Sequence, residues 1–315
     1  MVEKKKMPNV ILIVMDTVRP DHLSCYGHYR KTSPNIDELA KKGVLFENAF
    51  ATAEWSPPSH ASIFTGKFPS YHKTLGRRIS LHKENITLAE VLNWNGYQTF
   101  GVSSNRLLVT TGFDKGFQRY FDLPTYRSFE FVKQSPKDAV RTLISGIDRF
   151  TYRNIQKIKN LLNKRNQKQP FFLFTNIFCC HAPHNPPRPF KKRFCSSLEG
   201  PRLYLTELLL SKVCGHTGER MRECSLDIRR LNRLASYEGQ YYFMAGELNV
   251  SEDEWEVVKS WYDGAISYMD YRIGELIDFL RDKGIFEDTL LIMLSDHGEN
   301  FGEHGLASHQ FCLYD

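Results

Sequence analysis

The hydrophobic positions of the chain cluster in short runs that are apolar at nearly every position. The clearest of these runs are Asn9–Met15, Pro170–Phe178 and Thr289–Leu294. Such runs are typical of strands that are covered on both faces of a sheet. Residues 97–102 predict another strand, and two apolar stretches within residues 44–51 predict one more.

Helical patterns separate these predicted strands. The Pro34–Gly43 segment has proline at its start and glycine at its end, as helices often do. Ser251 and Glu254 form a capping-box pattern before a long amphipathic stretch that ends near Lys283. Further helices are predicted over 56–66, 86–95 and 137–163.

Alternating strands and helices predict an α/β fold, a three-layer sandwich with a mostly parallel central sheet. In such a sheet, ligands bind beyond the carboxyl ends of the strands. We interpret 1–315 as one α/β domain with an insertion or cap at about 190–250, a region whose pattern of mixed charge is hard to assign.

Composition excludes several classes of protein. Hydrophobic residues make up 41% and charged residues 25% of the chain, which argues against global disorder. The net charge of +6 is spread along the sequence and does not indicate nucleic acid as a partner. The seven cysteines include no CxxC pair, so reduced thiols are expected instead of a disulfide framework or a zinc site.

No stretch of the sequence is apolar for long enough to predict a membrane span. The apolar run after the basic start is short and ends in Asp16, so it predicts a buried strand and not an export signal. These features predict a cytoplasmic protein.

Acidic residues end the first and the last strong strands. Asp16 follows the first, and Asp296 and His297 follow the last. Alone, Asp16 is explained equally well as a residue that caps a turn, and a strand-ending Asp-His pair such as Asp296–His297 is more often a turn than a metal site. Together at one sheet edge they favour a divalent cation, since carboxylates and imidazoles are its usual ligands.

Ser56 precedes two prolines at the start of a predicted helix. The dipole and the N–H groups of a helix N-terminus favour negative charge, which would assist an alkoxide on Ser56. The alternative is that Ser56 only caps the helix, and this segment alone favours capping.

Histidines supply candidate acids. His181 and His184 follow the strand at Pro170–Phe178, and His309 follows the Asp296–His297 pair. A histidine can protonate a leaving group near neutral pH. The alternative for the first two is a structural role in a proline-rich turn.

Taken together, these motifs resemble the sulfatase branch of the alkaline phosphatase superfamily over most of the chain. The matching segments are Asn9–Asp16, Arg19–Gly27, Ser33–Asp37, Ser56–Gly66, Gly96–Thr99, Gly112–Phe117, His181–His184, Tyr262–Gly264, Asp296–Glu299 and Gly302–Gly305.

The resemblance implies an alkaline-phosphatase-like fold whose C-terminal subdomain is missing or short here, and one divalent cation, commonly Ca²⁺, with Mn²⁺ and Zn²⁺ as alternatives. It places Asp16, Ser56, Asp296 and His297 in metal-ligand positions. Ser56, His60 and His181 match catalytic positions, and Asn105, His184 and His309 match substrate-binding positions.

The nucleophile motif departs from the family pattern at one position. Many relatives carry a Cys or Ser there that is oxidised to formylglycine, followed by an Arg four residues later. Here His60 stands in place of that Arg. Because the Arg is part of what the maturation machinery reads, the departure favours an unmodified Ser56 over formylglycine.

The resulting functional expectation is metal-dependent hydrolysis of sulfate esters, of the arylsulfatase type. The substrate would be a small-molecule, carbohydrate or lipid ester. A phosphate or phosphonate ester hydrolase, or a phospho-group transferase, is the alternative on the same scaffold, and a non-catalytic binding protein is a third. The sequence does not determine the oligomeric state.

Overall fold

The computed structural model describes residues 7–76, 78–123, 151–195 and 228–310. Five strands form one sheet in the order β3-β2-β4-β1-β5, and every neighbouring pair is parallel. The strands are β1 (Asn9–Met15), β2 (Gln98–Ser103), β3 (Arg119–Asp122), β4 (Phe171–Ile177) and β5 (Thr289–Ser295). The predicted parallel sheet is therefore confirmed.

Helices lie between the strands along the chain. They are α1 (Pro34–Lys42), α2 (Ser56–Thr65), α3 (Pro69–His72), α4 (Leu88–Trp94), α5 (Arg106–Thr110), α6 (Thr151–Asn163), α7 (Arg188–Lys191), α8 (Ile228–Leu234), α9 (Tyr237–Met244) and α10 (Glu252–Asp282). A short antiparallel pair, β6 (Asn300–Phe301) and β7 (Ala307–Ser308), follows β5.

The side chains of β1 alternate between two hydrophobic cores, one on each face of the sheet. Ile11 and Ile13 pack in the core that includes α6 and α10. Leu12 and Val14 pack in the opposite core, which includes Phe64 of α2. A strand with helices on both faces must be apolar at every position, which explains its sequence pattern.

The 31-residue helix α10 connects one core to the loop that follows β1. Its N-terminus has the predicted capping box, in which Ser251 and Glu254 exchange hydrogen bonds with each other's backbone. Farther along, the Tyr262 hydroxyl donates to the Thr17 carbonyl at 2.5 Å and accepts from the Arg19 N–H at 2.9 Å. This helix therefore fixes the chain directly after Asp16.

One sequence prediction is wrong, and another is covered only in part by the described residues. No strand forms over 44–51; Val44, Phe46 and Phe50 are instead 79%, 70% and 87% exposed. Apolar residues alone do not make a strand when no neighbouring strand pairs with them. Of the helix predicted over 137–163, only Thr151–Asn163 lies within the described residues.

The insertion predicted at about 190–250 is described only in part. Residues 196–227 lie outside the described ranges, whereas α8 and α9 are described. Within the described ranges, no helix combines the length and apolar character required to cross a lipid bilayer.

Candidate active site

The carboxyl ends of β1 and β5 bring two acids together. Met15 pairs with Ser295 in the sheet, so Asp16 and Asp296 each follow directly on adjacent strands. The Thr17 N–H donates to Oδ1 of Asp296 at 3.2 Å and joins the two strand ends. Potential ligand atoms of Asp16, Asp296 and His297 all lie within 4.8 Å of one another.

Burial makes this pair of carboxyl groups electrostatically costly. Both side chains are completely buried. Burial raises the pKa of Asp16 to about 7, and the nearby charge of Asp296 adds to that effect. Burial likewise raises the pKa of Asp296 to about 7. A cation between the two groups would remove this cost, because it favours their charged forms.

Two carboxylate oxygens at the site have no hydrogen-bond donor within the described residues. Oδ1 of Asp16 and Oδ2 of Asp296 accept no hydrogen bond within the described part of the chain. Buried polar atoms normally have a partner, and a metal ion is one kind of partner. The residues therefore fit a divalent cation.

The charge and orientation of the His297 ring suit a neutral metal ligand. Burial, followed by the proximity of His309, lowers the pKa of His297 to about 4, so its ring is uncharged at neutral pH. Its Nδ1 lies 3.0 Å from the Gly298 carbonyl. In the neutral tautomer that carries its hydrogen on Nδ1, the ring donates to this carbonyl. Nε2 then carries a lone pair and lies 3.4 Å from Oδ2 of Asp296. Metal-binding histidines commonly have this arrangement.

Ser56 points its hydroxyl into the same cluster. It is the first residue of α2, and Trp55 is the N-cap, so the interpretation of Ser56 as a cap is wrong. Its Oγ lies 3.3 Å from Nε2 of His297 and accepts from Nδ2 of Asn105 at 3.2 Å. The hydroxyl is thus positioned by side chains from other parts of the chain.

The start of α2 offers less to an anion than the sequence suggested. Pro57 and Pro58 have no N–H groups, and the N–H of Ser59 donates to the Trp55 carbonyl at 3.3 Å. The Ser56 N–H, the helix dipole and the side chains remain as sources of stabilisation near Ser56.

Two amides orient Asp16. Asn105 and Asn176 each donate from Nδ2 to Oδ2 of Asp16 at 3.0 Å. Asn105 was predicted from the family resemblance as a substrate-binding residue, and the structure places it between Asp16 and Ser56. Asn176 was missed, although a polar residue next to the end of the apolar strand β4 was a signal.

His60 is uncharged at this site. Its Nδ1 lies 2.9 Å from the Ser56 carbonyl, and its Nε2 lies 3.4 Å from the Asn176 amide nitrogen. Burial lowers its pKa to about 3. A neutral imidazole supplies hydrogen bonds but not the positive charge of the arginine that it replaces.

The remaining predicted histidines differ in their positions. His181 places Nε2 at 4.0 Å from Oδ1 of Asp16. His309 packs its ring 4.3 Å from that of His297, with Nδ1 3.2 Å from Oε2 of Glu299. The structure brings both to the cluster.

His184 lies in an aromatic layer. Its ring packs 5.5 Å from that of Tyr262 and 5.2 Å from that of Phe301. Its Nδ1 lies 3.0 Å from the Cys180 carbonyl. A role of His184 in substrate binding stays a prediction.

A second group of potential ligands joins Asp263 of α10 to His22 and His28, which lie in the segment after β1. Asp263 is 2.6 Å from Nδ1 of His22 and 3.1 Å from Nε2 of His28. Arg30 also donates to Asp263, at 2.6 Å. Burial opposes ionisation of Asp263, but the bonds from His22 and His28 outweigh it and hold its pKa well below the usual range. Because Arg30 already supplies positive charge, we assign this group a structural role.

Comparisons with known proteins agree with the resemblance seen in the sequence. The chain is 28% identical to iduronate 2-sulfatase of Mus musculus over 324 residues, which cover 94% of this chain and 55% of that protein. It is 23% identical to N-acetylglucosamine-6-O-sulfatase of Bacteroides thetaiotaomicron, covering 98% of this chain and 61% of that protein. The chain therefore spans little more than half the length of these curated relatives.

A solved structure shares the fold. Phosphonate monoester hydrolase of Agrobacterium radiobacter aligns with a TM-score of 0.69 at 22% identity, over 96% of this chain and 64% of that one. The model of the Sulfatase family matches residues 8–315 of the sequence. This chain belongs to the Sulfatase family.

Proposed function

We propose that this protein hydrolyses sulfate esters in a metal-dependent reaction, with Ser56 or a formylglycine derived from it as the nucleophile. The observation that carries the proposal is the position of Ser56 Oγ, 3.3 Å from Nε2 of His297. Two buried carboxylates with open oxygens lie beside that imidazole. Family membership supports the same reaction class.

Asp16, Asp296, His297 and the Ser56 hydroxyl would hold the cation. When bound, the ion would polarise the nonbridging oxygens of the ester and lower the pKa of the nucleophile. Three oxygen ligands suit Ca²⁺, the ion that the family resemblance implies. The imidazole ligand also suits Mn²⁺ and Zn²⁺, so these ions are the alternatives.

The other residues of the site have distinct roles. Asn105 holds the Ser56 hydroxyl and one oxygen of Asp16 in fixed positions. His181, whose Nε2 faces Asp16, would deliver a proton to the departing ester oxygen. His60 holds the first turn of α2 through the Ser56 carbonyl. His309 would contact the anionic group of the substrate.

The substrate class follows from two lines of support. The relatives named above act on sulfated sugars by name, which favours a carbohydrate sulfate ester over a lipid ester. A phosphate or phosphonate ester is the second candidate. It is favoured by one observation, the neutral His60 where the formylglycine motif has Arg, because a plain serine is the nucleophile expected without that motif.

The test combines a substrate panel with a matched pair of variants. Wild-type protein is assayed with 4-nitrophenyl sulfate and 4-nitrophenyl phosphate, each with Ca²⁺, Mn²⁺ or Zn²⁺. We expect Ser56→Ala to lower kcat by about 10³-fold or more. Ser62→Ala is the control, since its hydroxyl contacts His72 at 3.1 Å on the same helix, and kcat should stay within about twofold.

Each outcome decides between the candidates. Preference for the sulfate ester supports the proposal, and preference for the phosphate ester supports the second candidate. Turnover that is unchanged in Ser56→Ala or after chelation contradicts both. Mass spectrometry of the peptide covering residues 53–67 identifies the nucleophile, because formylglycine is lighter than serine by two hydrogens.

A further inference from the structure

Thr17, the residue directly after Asp16, has a backbone conformation that is rare for its type. Its φ is 61°, in the left-handed region. For a residue that is branched at Cβ, a positive φ is a genuine outlier and the backbone is strained. Strain of this kind persists only where the surrounding structure enforces it, and it is concentrated at functional sites. The position of Thr17 beside the ligand cluster is such a place.

Two backbone contacts hold Thr17 in this conformation. Its N–H donates to Oδ1 of Asp296 at 3.2 Å, and its carbonyl accepts from the Tyr262 hydroxyl at 2.5 Å. Neither contact uses the side chain. Glycine would adopt the same φ without strain, and asparagine would adopt it at a lower cost than threonine. The backbone contacts therefore do not explain why a threonine side chain lies here.

The hydroxyl of Thr17 is buried without a partner. The residue is completely buried, and Oγ1 makes no hydrogen bond to any described residue. A buried hydroxyl in that state costs free energy, so such groups normally have a partner. Oδ1 of Asp16 and Oδ2 of Asp296 are in the same condition. One cation would serve all three oxygens.

Covalent geometry keeps Oγ1 near the cluster. In any rotamer a threonine γ-oxygen lies no more than about 3.7 Å from its own backbone nitrogen. For Thr17, that nitrogen is 3.2 Å from Oδ1 of Asp296. The hydroxyl is therefore within about 7 Å of this carboxylate oxygen in its least favourable rotamer, and rotation about the Cα–Cβ bond moves it without changing the backbone.

The residues already assigned to the cation leave coordination positions open. Asp16, Asp296 and Ser56 supply oxygens and His297 supplies a nitrogen, whereas Ca²⁺ takes about six to eight ligands, mostly oxygens. Serine and threonine hydroxyls bind Mg²⁺ in phosphate-binding loops. The hydroxyl of Thr17 would add an oxygen and no charge. A third carboxylate would increase the repulsion between the two buried acids.

We propose that Oγ1 of Thr17 is a further ligand of the divalent cation, in addition to Asp16, Ser56, Asp296 and His297. This inference rests on the proposed function, in which a cation binds at the cluster. The strained conformation then lets one residue act twice, because its N–H orients Asp296 while its hydroxyl binds the ion.

Thr17→Val and Thr17→Ser are a matched pair of variants. Valine keeps the branched shape and its strain but lacks the oxygen, whereas serine keeps the oxygen and lacks the methyl group. Thr99→Val is the control. Thr99 is completely buried near the amino end of β2, at the opposite end of the sheet from the cluster. Its hydroxyl donates to the Gly116 carbonyl at 2.9 Å and accepts from the Gln118 N–H at 2.9 Å.

Titration calorimetry of the metal-free proteins with Ca²⁺ or Mn²⁺ measures the affinity. We expect Thr17→Val to weaken binding by about 10-fold or more, and Thr17→Ser and Thr99→Val to stay within about threefold of wild type. Equal affinities of wild type and Thr17→Val would overturn the role of Thr17 alone. Equal losses in both Thr17 variants would also overturn it, since shape would then matter and not the oxygen. A wild-type protein that binds neither ion would refute the proposed metal dependence as well.

Thermal melting distinguishes a metal ligand from a hydroxyl with a structural role. In chelator, Thr17→Val should melt at the wild-type temperature or above it, because a methyl group replaces a buried hydroxyl that has no partner. Added ion should raise the melting temperature of wild type more than that of Thr17→Val. Thr99→Val should melt below wild type in both conditions. A lower melting temperature of Thr17→Val in chelator would show that the hydroxyl bonds within the protein and would overturn the proposal.

Discussion

The side-chain amide of Asn176 donates a hydrogen bond to Oδ2 of Asp16 across 3.0 Å. The bond joins the neighbouring strands β4 and β1 close to their carboxyl ends. Asn105 donates to the same oxygen, so both amides act on Oδ2. Oδ1, which accepts no hydrogen bond within the described residues, is thereby left to face the cluster. The amides thus select which oxygen of Asp16 would bind a cation.

Asn176→Leu should weaken metal binding. The substitution keeps the approximate volume of the side chain but removes the donor that orients Asp16. Loss of such a supporting bond typically lowers metal affinity by about 10- to 100-fold. Titration calorimetry with Ca²⁺, Mn²⁺ and Zn²⁺ measures the change. Asn95→Ala, at the exposed end of α4, is the control, and equal affinities in the two variants would contradict the assigned role of Asn176.

Removal of the bound metal should lower the melting temperature of the wild-type protein. Chelation leaves Asp16 and Asp296 buried together without a compensating cation. Restoring a divalent ion at about 100 times its dissociation constant should add about 2.7 kcal/mol to the free energy of unfolding. Calorimetric melting with and without added ion measures this. Asp296→Asn should melt at the same temperature in both conditions, and an ion-dependent shift in that variant would place the cation elsewhere.

Asp16→Asn should gain stability relative to wild type as pH rises, when both are measured in chelator. The pKa of Asp16 is about 7 in the folded protein and near 3.8 when unfolded, so the folded state holds a proton that the unfolded state has lost. Wild type therefore loses stability between about pH 4 and 7, and the variant lacks this loss. The difference in free energy of unfolding should grow by about 4 kcal/mol over that range.

Urea unfolding of both proteins at several pH values tests this expectation. The lowered pKa values of His60 and His297 act in the opposite direction between about pH 4 and 6.5. The contribution of His60 is common to both proteins and cancels in the difference, whereas that of His297 does not cancel fully, because the charge of Asp16 raises the pKa of His297. A difference that does not change with pH would show that Asp16 is ionised throughout.

Asp263→Asn should destabilise the fold without affecting the chemistry. Asp263 is buried and bonded to His22, His28 and Arg30. Loss of its charge leaves the partly buried Arg30 without compensation, at a cost of up to about 3 kcal/mol. Because the pKa of Asp263 is depressed, this contribution is present above about pH 4 and disappears as pH falls below it.

Chemical unfolding at pH 7 measures the cost of Asp263→Asn. Asp278→Asn removes an exposed pair with Arg281 at 3.5 Å and should cost less than about 0.5 kcal/mol. If added Zn²⁺ stabilised wild type but not Asp263→Asn, the group around Asp263 would be a metal site instead of a structural one.

The main parts of the site were predictable because a parallel sheet collects its strand ends at one edge. To predict that Asp16 and Asp296 lie at one site, it was enough to recognise two strands and to know that ligands bind beyond the carboxyl ends of parallel strands. Strand β5 shows the limit of such patterns. Its residues 290–294 are all apolar, yet it lies at the edge of the described sheet, and Leu290 is 53% exposed. An apolar run does not reveal how many neighbours a strand has.

Contacts between segments that are distant along the chain could not be predicted from the sequence. Tyr237 reaches His181 from a helix that begins 56 residues later, and nothing in its local pattern separates it from other tyrosines. The neutral state of His60 is likewise a result of burial by distant segments. Family resemblance identified the position of His60 but not its charge.

The order of strands in the sheet has a consequence for synthesis of the protein. β1 lies between β4 and β5, and Val10 pairs with Phe172 on one side and Leu290 on the other. A nascent chain therefore carries its first strand without a neighbour until β4 is made, and without its second neighbour until β5, near the end of the described fold, has left the ribosome. Such late pairing slows folding and exposes apolar surface to aggregation. Chaperones that hold emerging chains should accordingly affect the yield of this protein more than its final stability.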